Sequence, residues 1–172
     1  LADGSRPRSL TSDQSERVVQ AFSLSGRSPL YLRMAALQAR KWKHSDAVPR
    51  LAEDISSMVD SYFHWLSHES LHGPVFLRTT LALIGASRSG IAEVELLDIL
   101  SQDPAVLQEY ADSNPFAPDI GRLPDIVWSR LYAELKPFLA FSDAQTRPVV
   151  RFRHREFQQA VARRMLTGES GL

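Results

Sequence analysis

The segment GRSPL at residues 26–30 places a serine and a proline directly before an amphipathic stretch. Ser28 is a favoured N-cap residue, and Pro29 suits the first helical position because the backbone N–H it lacks would have no partner there. A proline at a helix start also places a rigid apolar ring beside an exposed backbone carbonyl, a combination suited to packing against an adenine base. The segment therefore predicts either a base contact or a plain turn between two helices.

His154 lies within FRHREF at residues 152–157, between a run of β-type residues and the last amphipathic stretch. At a helix start, the imidazole N–H and the free backbone N–H groups can point together at an anion such as phosphate. A surface or structural histidine has the same sequence signature. Both interpretations stay open on the residues alone.

Several other kinds of chemistry find no support in the sequence. The chain has no cysteine, which excludes thiol catalysis, disulfides and thiolate metal sites, and allows a reducing compartment. No catalytic triad or carboxylate pair can be assigned, and no glycine-rich loop is followed by Lys-Ser/Thr. His64, His68 and His72 recur every four residues, but Glu69 is their only nearby carboxylate, so we predict no metal site.

Charge and length restrict the class of protein. Lys and Arg number 20 and Asp and Glu number 20, so the net charge of zero offers no whole-molecule case for nucleic-acid binding. No apolar run approaches the roughly 20 residues that a bilayer-spanning helix needs, so no membrane association is expected. The 172 residues suffice for one domain or two small ones, and the initial Leu1 suggests a piece excised from a longer protein.

The first part of the chain predicts three helices after a linker at residues 1–10. Thr11 and Gln14 match a capping box that starts a helix ending near Leu24. A second helix should start at Pro29 and end near Trp42. A third should run over roughly residues 51–68, where apolar residues recur at spacings of three and four.

The second part predicts three helices, a hairpin and a last helix. A fourth helix should start at Pro74, a fifth should span about residues 92–100, and a sixth should start at 123–125. Between the last two we expect a loop with at most one or two helical turns around residues 105–110. β-type runs at 138–141 and 149–152 should form the hairpin, with its turn over 142–148, and the last helix should span about 154–166.

These elements predict a mainly α fold, a small helical bundle followed by a winged-helix domain with one β-hairpin. The break at Gly73-Pro74 is the predicted boundary. It separates a helical domain at residues 11–72 from a winged-helix domain at 73–168, with a tail at 169–172.

Four segments together resemble a known family: GRSPLYLRMAALQARKW, FLRTTLALIGASRSGIAEVELLDIL, LPDIVWSRLYAELKPFLAF and VVRFRHREFQQAVARRML. They are similar to the C-terminal half of the nucleotide-binding module of STAND-class P-loop NTPases, which include the NACHT and NB-ARC families. The similarity is strongest to NACHT proteins that carry WD or TPR repeats. It covers the chain from Leu10 to Leu166, with the segments in the family's order.

The resemblance implies roles for specific residues. In the family, a Gly-x-Pro type motif of the helical domain contacts the adenine, and it falls here on Gly26, Pro29 and Leu30. A winged-helix histidine contacts the β-phosphate of ADP and holds the closed state, and it falls on His154. The Walker A and Walker B segments that hold phosphates and Mg²⁺ are absent from this sequence, so we expect no catalytic residues and no tightly bound cofactor in this chain.

The implied function is that of the regulatory portion of a cytoplasmic STAND ATPase, which closes over ADP and controls nucleotide-dependent oligomerisation for signalling or defence. Its expected partners are the upstream P-loop core of the same parent chain, ATP or ADP with Mg²⁺, and further copies on activation. One alternative is a DNA-binding winged-helix regulator. Residues 123–136 disfavour it, since Arg130 and Lys136 are balanced there by Asp125 and Glu134. A protein-interaction module without nucleotide is the other.

Overall fold

The computed structural model describes residues 9–40, 42, 50–68, 72–116, 121–144 and 147–166. The predicted tail at 169–172 and most of the predicted linker at 1–10 lie outside these ranges. The chain divides into two compact units, residues 1–61 and residues 62–172. Each unit contains buried apolar side chains of its own.

The first unit contains two helices and the beginning of a third. Helix α1 spans Ser12–Leu24, α2 spans Pro29–Ala39 and α3 spans Ile55–His68. The predicted capping box is confirmed at α1. The backbone N–H of Gln14 donates to Thr11 Oγ1 at 3.3 Å, and the N–H of Thr11 donates to Gln14 Oε1 at 3.2 Å.

Two predicted helix ends in this unit were wrong by a few residues. Helix α2 ends at Ala39 rather than near Trp42, because the chain tightens into a turn in which the N–H of Trp42 donates to the Ala39 carbonyl at 3.2 Å. Helix α3 begins at Ile55 rather than at residue 51. The Asp54 carboxylate accepts from the N–H of Ser57 at 2.8 Å, which satisfies a backbone donor of the first turn.

In its described residues, the second unit holds the end of α3, five further α-helices, a 3-10 turn at Lys136–Phe138 and a small sheet. Helix α4 spans Pro74–Ala86, α5 Glu93–Leu100, α6 Pro104–Ser113, α7 Asp125–Leu135 and α8 Arg155–Leu166; strand β1 spans Ile91–Ala92, β2 Leu139–Ala144 and β3 Arg147–Phe152. The strands are antiparallel in the order β1-β3-β2. The predicted fold class is confirmed, since helices dominate and a hairpin precedes the last helix.

Strand β1 was not predicted from the sequence. It pairs with the middle of β3, with Ile91 opposite Val150. Gly90 precedes it with a φ of 96°, and a Cβ at that position would lie 2.8 Å from the Val149 side chain. The absence of a side chain at Gly90 therefore lets this short segment approach β3.

Helix α6 corrects the predicted loop. It is a helix of 10 residues rather than one or two turns, because Asp103 caps it by accepting from the N–H of Ala105 at 2.9 Å and Pro104 occupies the first helical position. Val106 is fully buried and fixes the helix to the unit. Four helices, not three, therefore precede the hairpin.

The hairpin and the last helix also differ from their predicted limits. Strands β2 and β3 extend to Ala144 and from Arg147, so the predicted turn at 142–148 was too long. Pro148 lies within β3, in register with Asp143. Helix α8 begins at Arg155, one residue after the predicted start.

The core of the second unit is built around aromatic side chains. The ring of Phe157 lies 4.6 Å from that of Phe138, 5.6 Å from that of Phe63 and 5.9 Å from that of Phe152, measured between centroids. Phe63 belongs to α3, so the end of α3 packs with α8. The structural division accordingly falls inside α3, earlier in the chain than the break at Gly73-Pro74. In the described part of the chain, no helix has the length and apolar character needed to cross a membrane.

Candidate functional site

The GRSPL segment forms a tight turn between α1 and α2. Gly26 and Arg27 both adopt left-handed backbone angles, with φ of 74° and 57°. The N–H of Arg27 donates back to the Phe22 carbonyl at 3.1 Å, which closes α1. Ser28 then caps α2 by accepting from the N–H of Tyr31 at 3.4 Å. The predicted helix start at Ser28 and Pro29 is confirmed.

The side chains of this turn face different environments. Pro29 is exposed, so its ring is accessible to a planar ligand. Leu30 is only 6% exposed, so its side chain belongs to the core of the first unit and would approach a ligand only through its backbone. A Cβ at Gly26 would meet nothing within 4 Å. This position therefore favours glycine because of its positive φ and not because neighbouring atoms leave no room for a side chain.

The start of α2 is tied to the segment before α3. The hydroxyl of Tyr31 donates to the Ala52 carbonyl. Tyr31 is fully buried, and burial together with the nearby Asp54 carboxylate raises the pKa of its phenol. The hydroxyl therefore stays protonated and able to donate at neutral pH, which holds the turn in a defined position.

His154 lies in the bend between β3 and α8, in the second unit. Its side chain is half-buried, and its Nε2 atom is shielded from solvent. Its backbone carbonyl accepts from the N–H of Phe157 at 3.2 Å, so the residue immediately precedes the first turn of α8. The sequence-predicted placement at the start of the last helix is confirmed, whereas a phosphate contact stays a prediction.

The four predicted ligand-contacting residues thus fall into two groups. Gly26, Pro29 and Leu30 share one turn in the first unit, and His154 lies in the second. Both groups are placed where a helix begins, and the N-terminal end of a helix carries partial positive charge.

The three spaced histidines do not share one environment. The rings of His64 and His68 stack with centroids 4.2 Å apart, and His68 Nδ1 lies 2.7 Å from Ser67 Oγ. His72 instead precedes α4 and lines a cavity. Among the described residues, no group of three or more His, Cys, Asp or Glu side chains could hold a metal ion.

Helix α7 is followed by a single 3-10 turn at Lys136–Phe138 and then by the hairpin, and it corresponds to the helix that would contact DNA in a winged-helix regulator. Its exposed side chains include Asp125, Ile126 and Arg130. Ile126 is 56% exposed, and the cationic Arg130 shares the helix with two acidic residues. A surface of this kind is poorly suited to a phosphate backbone.

Glu109 caps the start of α4, a role that the sequence did not indicate. Its two carboxylate oxygens accept from the backbone N–H groups of Val75 and Phe76 at 2.8 and 2.7 Å. Gly73, at the N-cap of α4, has no side chain to do this, and Pro74 follows it. The Gly-Pro start of α4 is the local sequence feature that could have indicated this contact. A glycine at the N-cap has no side chain to accept from the first N–H groups, so a residue from elsewhere in the chain must do so.

A family model for the NWD1-like winged helix-turn-helix domain matches residues 50–172. Among curated proteins, the human NACHT domain- and WD repeat-containing protein 1 is 33% identical over 144 residues, which cover 82% of this chain and 9% of the human protein. Its mouse counterpart of the same name is 33% identical over 143 residues, which cover 81% of this chain and 9% of the mouse protein. The chain therefore spans a small part of these relatives. No solved structure matches it.

Proposed function

Because this chain belongs to the family of NWD1-like winged helix-turn-helix domains, we propose that it is the regulatory helical and winged-helix portion of a NACHT-type NTPase. In this proposal it closes over bound ADP and controls nucleotide-dependent oligomerisation of the parent protein. The observation that supports the proposal is that both motifs predicted to contact nucleotide lie at the start of a helix, one in each compact unit.

Each motif suits a different part of ADP. The exposed ring of Pro29 offers an apolar surface for the adenine, while the left-handed turn at Gly26 and the buried side chain of Leu30 fix its position. His154 and the N-terminal end of α8 suit the β-phosphate, since helix N-termini favour anions.

The rest of the machinery lies outside this chain in the proposal. The upstream P-loop core of the parent would bind ATP or ADP with Mg²⁺ and carry out hydrolysis. Exchange of ADP for ATP would remove the contact to His154 in its closed position and permit assembly with further copies. We place this switch in the cytoplasm, with which a chain without cysteine is compatible.

The test compares His154→Ala with Pro29→Ala in the full-length parent. Loss of one hydrogen bond to a charged phosphate, roughly 1.5–3 kcal/mol, should weaken ADP retention about 10- to 150-fold. His154→Ala should also raise oligomerisation without a signal, since only the closed state loses the contact. Pro29→Ala should weaken ADP and ATP alike, because adenine is common to both.

Fluorescent ADP release and light scattering after size-exclusion chromatography measure the two effects. His64→Ala, which removes an exposed histidine of α3, is the matched control and should behave as wild type. If His154→Ala retains ADP and stays in the wild-type oligomeric state while folded, His154 is structural. The protein-interaction alternative would then be favoured.

A further inference from the structure

A cavity of about 270 Å³ lies in the second unit between α4, α6 and α7. It is partly open to solvent, and its volume is close to the lower end of the roughly 300–1,000 Å³ typical of small-molecule sites. Its apolar wall includes Phe76, Val106, Leu123 and Val127, and three of these side chains are fully or almost fully buried. Ligand sites combine walls of this kind with a few convergent polar groups.

Two of the polar side chains of this cavity carry nitrogen groups that can bind an anion. His72 and Arg130 both line it. The Nε2 atom of His72 is buried and has no hydrogen-bond partner in the described part of the chain. Over the same residues, no ion pair is found for Arg130. The cavity therefore holds a cation and a shielded imidazole nitrogen with no anion committed to either.

Glu109 also lines the cavity but does not neutralise these groups. Both of its oxygens already accept from backbone N–H groups of α4, at 2.8 and 2.7 Å. The partial positive charge of the α4 N-terminus offsets part of its negative charge. Because the Glu109 carboxylate is bound to the start of α4, Arg130 can pair with a different carboxylate.

The surroundings of His72 would favour an anion placed beside it. Burial and the nearby Arg130 guanidinium lower the pKa of the imidazole below its ordinary value. The ring is therefore mostly neutral at pH about 7. An anion placed between the two groups would favour the protonated imidazole and pair with the guanidinium at once.

We propose that this cavity binds a small organic carboxylate, with the carboxylate paired with Arg130 beside the imidazole of His72 and an apolar body against Phe76, Leu123 and Val127. A guanidinium matches the two oxygens of a carboxylate in a planar, bidentate pair. The apolar side chains on one part of the wall offer no donors to a free phosphate, whereas they can contact the body of an organic carboxylate. The cavity lies entirely within the second unit, so this site is separate from the GRSPL turn.

Binding of the carboxylate should take up a proton. His72, Glu109, Tyr110 and Arg130 are the titratable groups that line the cavity. Only His72 has an ordinary pKa close to neutrality, so affinity should rise as the pH falls from about 8 to about 6. His72→Gln, which keeps a polar side chain, should remove most of this dependence.

The experiment uses the 172-residue chain with 3-phenylpropionate as the probe, followed by isothermal titration and amide chemical shifts. We expect saturable binding that shifts amides of α4, α6 and α7. The uncharged 3-phenylpropanamide, which has the same shape, should bind about tenfold more weakly or worse, since it loses a charged hydrogen bond. Inorganic phosphate should neither bind nor compete.

Two arginine variants separate the site from general charge effects. Arg130→Gln should weaken the probe roughly tenfold or more, whereas Arg88→Gln, the same charge change on an exposed residue outside the cavity wall, should leave affinity unchanged. Three results would each overturn the proposal: no saturable binding of the probe, equal binding of the amide and the acid, or tighter binding of phosphate. Wild-type affinity in a folded Arg130→Gln variant would overturn it as well.

Discussion

At the scale of single residues, the start of α4 depends on a contact between Gly73 and Glu109. Gly73 has a φ of 80°, which an L side chain adopts only with strain. A Cβ there would also lie 2.5 Å from Glu109 Cδ and 2.5 Å from its Oε2. The glycine therefore satisfies a backbone requirement and leaves room for the carboxylate that caps the helix.

Gly73→Ala should destabilise the protein by about 1–3 kcal/mol, from strain and from displacement of Glu109. Glu109→Ala alone should cost about 1–2 kcal/mol through loss of the cap. The double variant should cost less than the sum, because the clash disappears with the carboxylate. Urea unfolding of all three measures this coupling.

Gly26→Ala is the matched control for Gly73→Ala. Gly26 has a similar φ of 74°, yet a Cβ there would meet nothing within 4 Å. The loss of unfolding free energy in Gly26→Ala should reflect backbone strain alone, and it should be the same when Glu109 is also replaced. If the Gly73 and Glu109 variants add without coupling, the close approach does not matter to stability.

At the scale of secondary-structure elements, α8 is fixed by one aromatic side chain. Phe157 is fully buried and lies in ring contact with Phe63 of α3, Phe138 before β2 and Phe152 of β3. Gly85 of α4 permits a second approach, since a Cβ there would lie 2.9 Å from Val161 of α8. Because His154 immediately precedes α8, this packing also positions the candidate phosphate-binding residue.

Phe157→Ala should lower the free energy of unfolding by about 3–5 kcal/mol, because it leaves a cavity among three other rings. Phe157→Leu should cost less, since much of the volume is retained. Phe141→Ala on β2 is the control: Phe141 is 49% exposed, so its loss opens no enclosed cavity. Chemical unfolding compares them, and equal costs at positions 141 and 157 would show that the ring cluster does not anchor α8.

At the scale of the whole molecule, the chain contains two compact units that meet in sequence within α3. Met34 is buried in the first unit and Leu131 in the second. Met34→Ala and Leu131→Ala should each cost about 2–5 kcal/mol. If the units unfold separately, each variant should speed amide hydrogen exchange mainly in its own unit.

Hydrogen exchange followed by mass spectrometry resolves this at peptide level. Phe63→Ala is an informative third variant, since Phe63 lies before Gly73-Pro74 in sequence but packs with Phe157. Its effect should appear in the second unit. Uniform acceleration across residues 9–166 in all three variants would instead indicate a single cooperative unit.

The charge distribution leads to a prediction about nucleic acid. The chain as a whole has no net charge, and the cations of α7 and its following turn are matched by Asp125 and Glu134. Duplex DNA should therefore bind weakly and without sequence preference, since phosphate contacts need clustered cations. A gel-shift titration at physiological salt measures this. Sub-micromolar, sequence-selective binding would favour the DNA-binding regulator.

The sequence by itself determined the features that depend on neighbouring residues. The capping box at Thr11, the helix starts at Pro29 and Pro74 and the hairpin before the last helix follow from local hydrogen bonding and from apolar periodicity. The motif positions at Pro29 and His154 follow in the same way, because each motif is short and continuous. The same local patterns predicted some helix ends wrongly. Helix α2 ends at Ala39, where Trp42 is buried and its N–H donates to the Ala39 carbonyl in a turn.

Only the tertiary structure decided the features that join distant residues. Strand β1 forms because β3 lies beside it and provides its hydrogen-bond partners. Its two residues are too few to show the alternation of apolar and polar residues by which a strand is predicted from sequence. Glu109 caps α4 from 33 residues away, and Phe63 joins the second unit through a ring near the end of the chain. The cavity at His72 and Arg130 arises in the same way. These contacts form between residues that are far apart in sequence, so the spacing of residue types along the chain does not predict them.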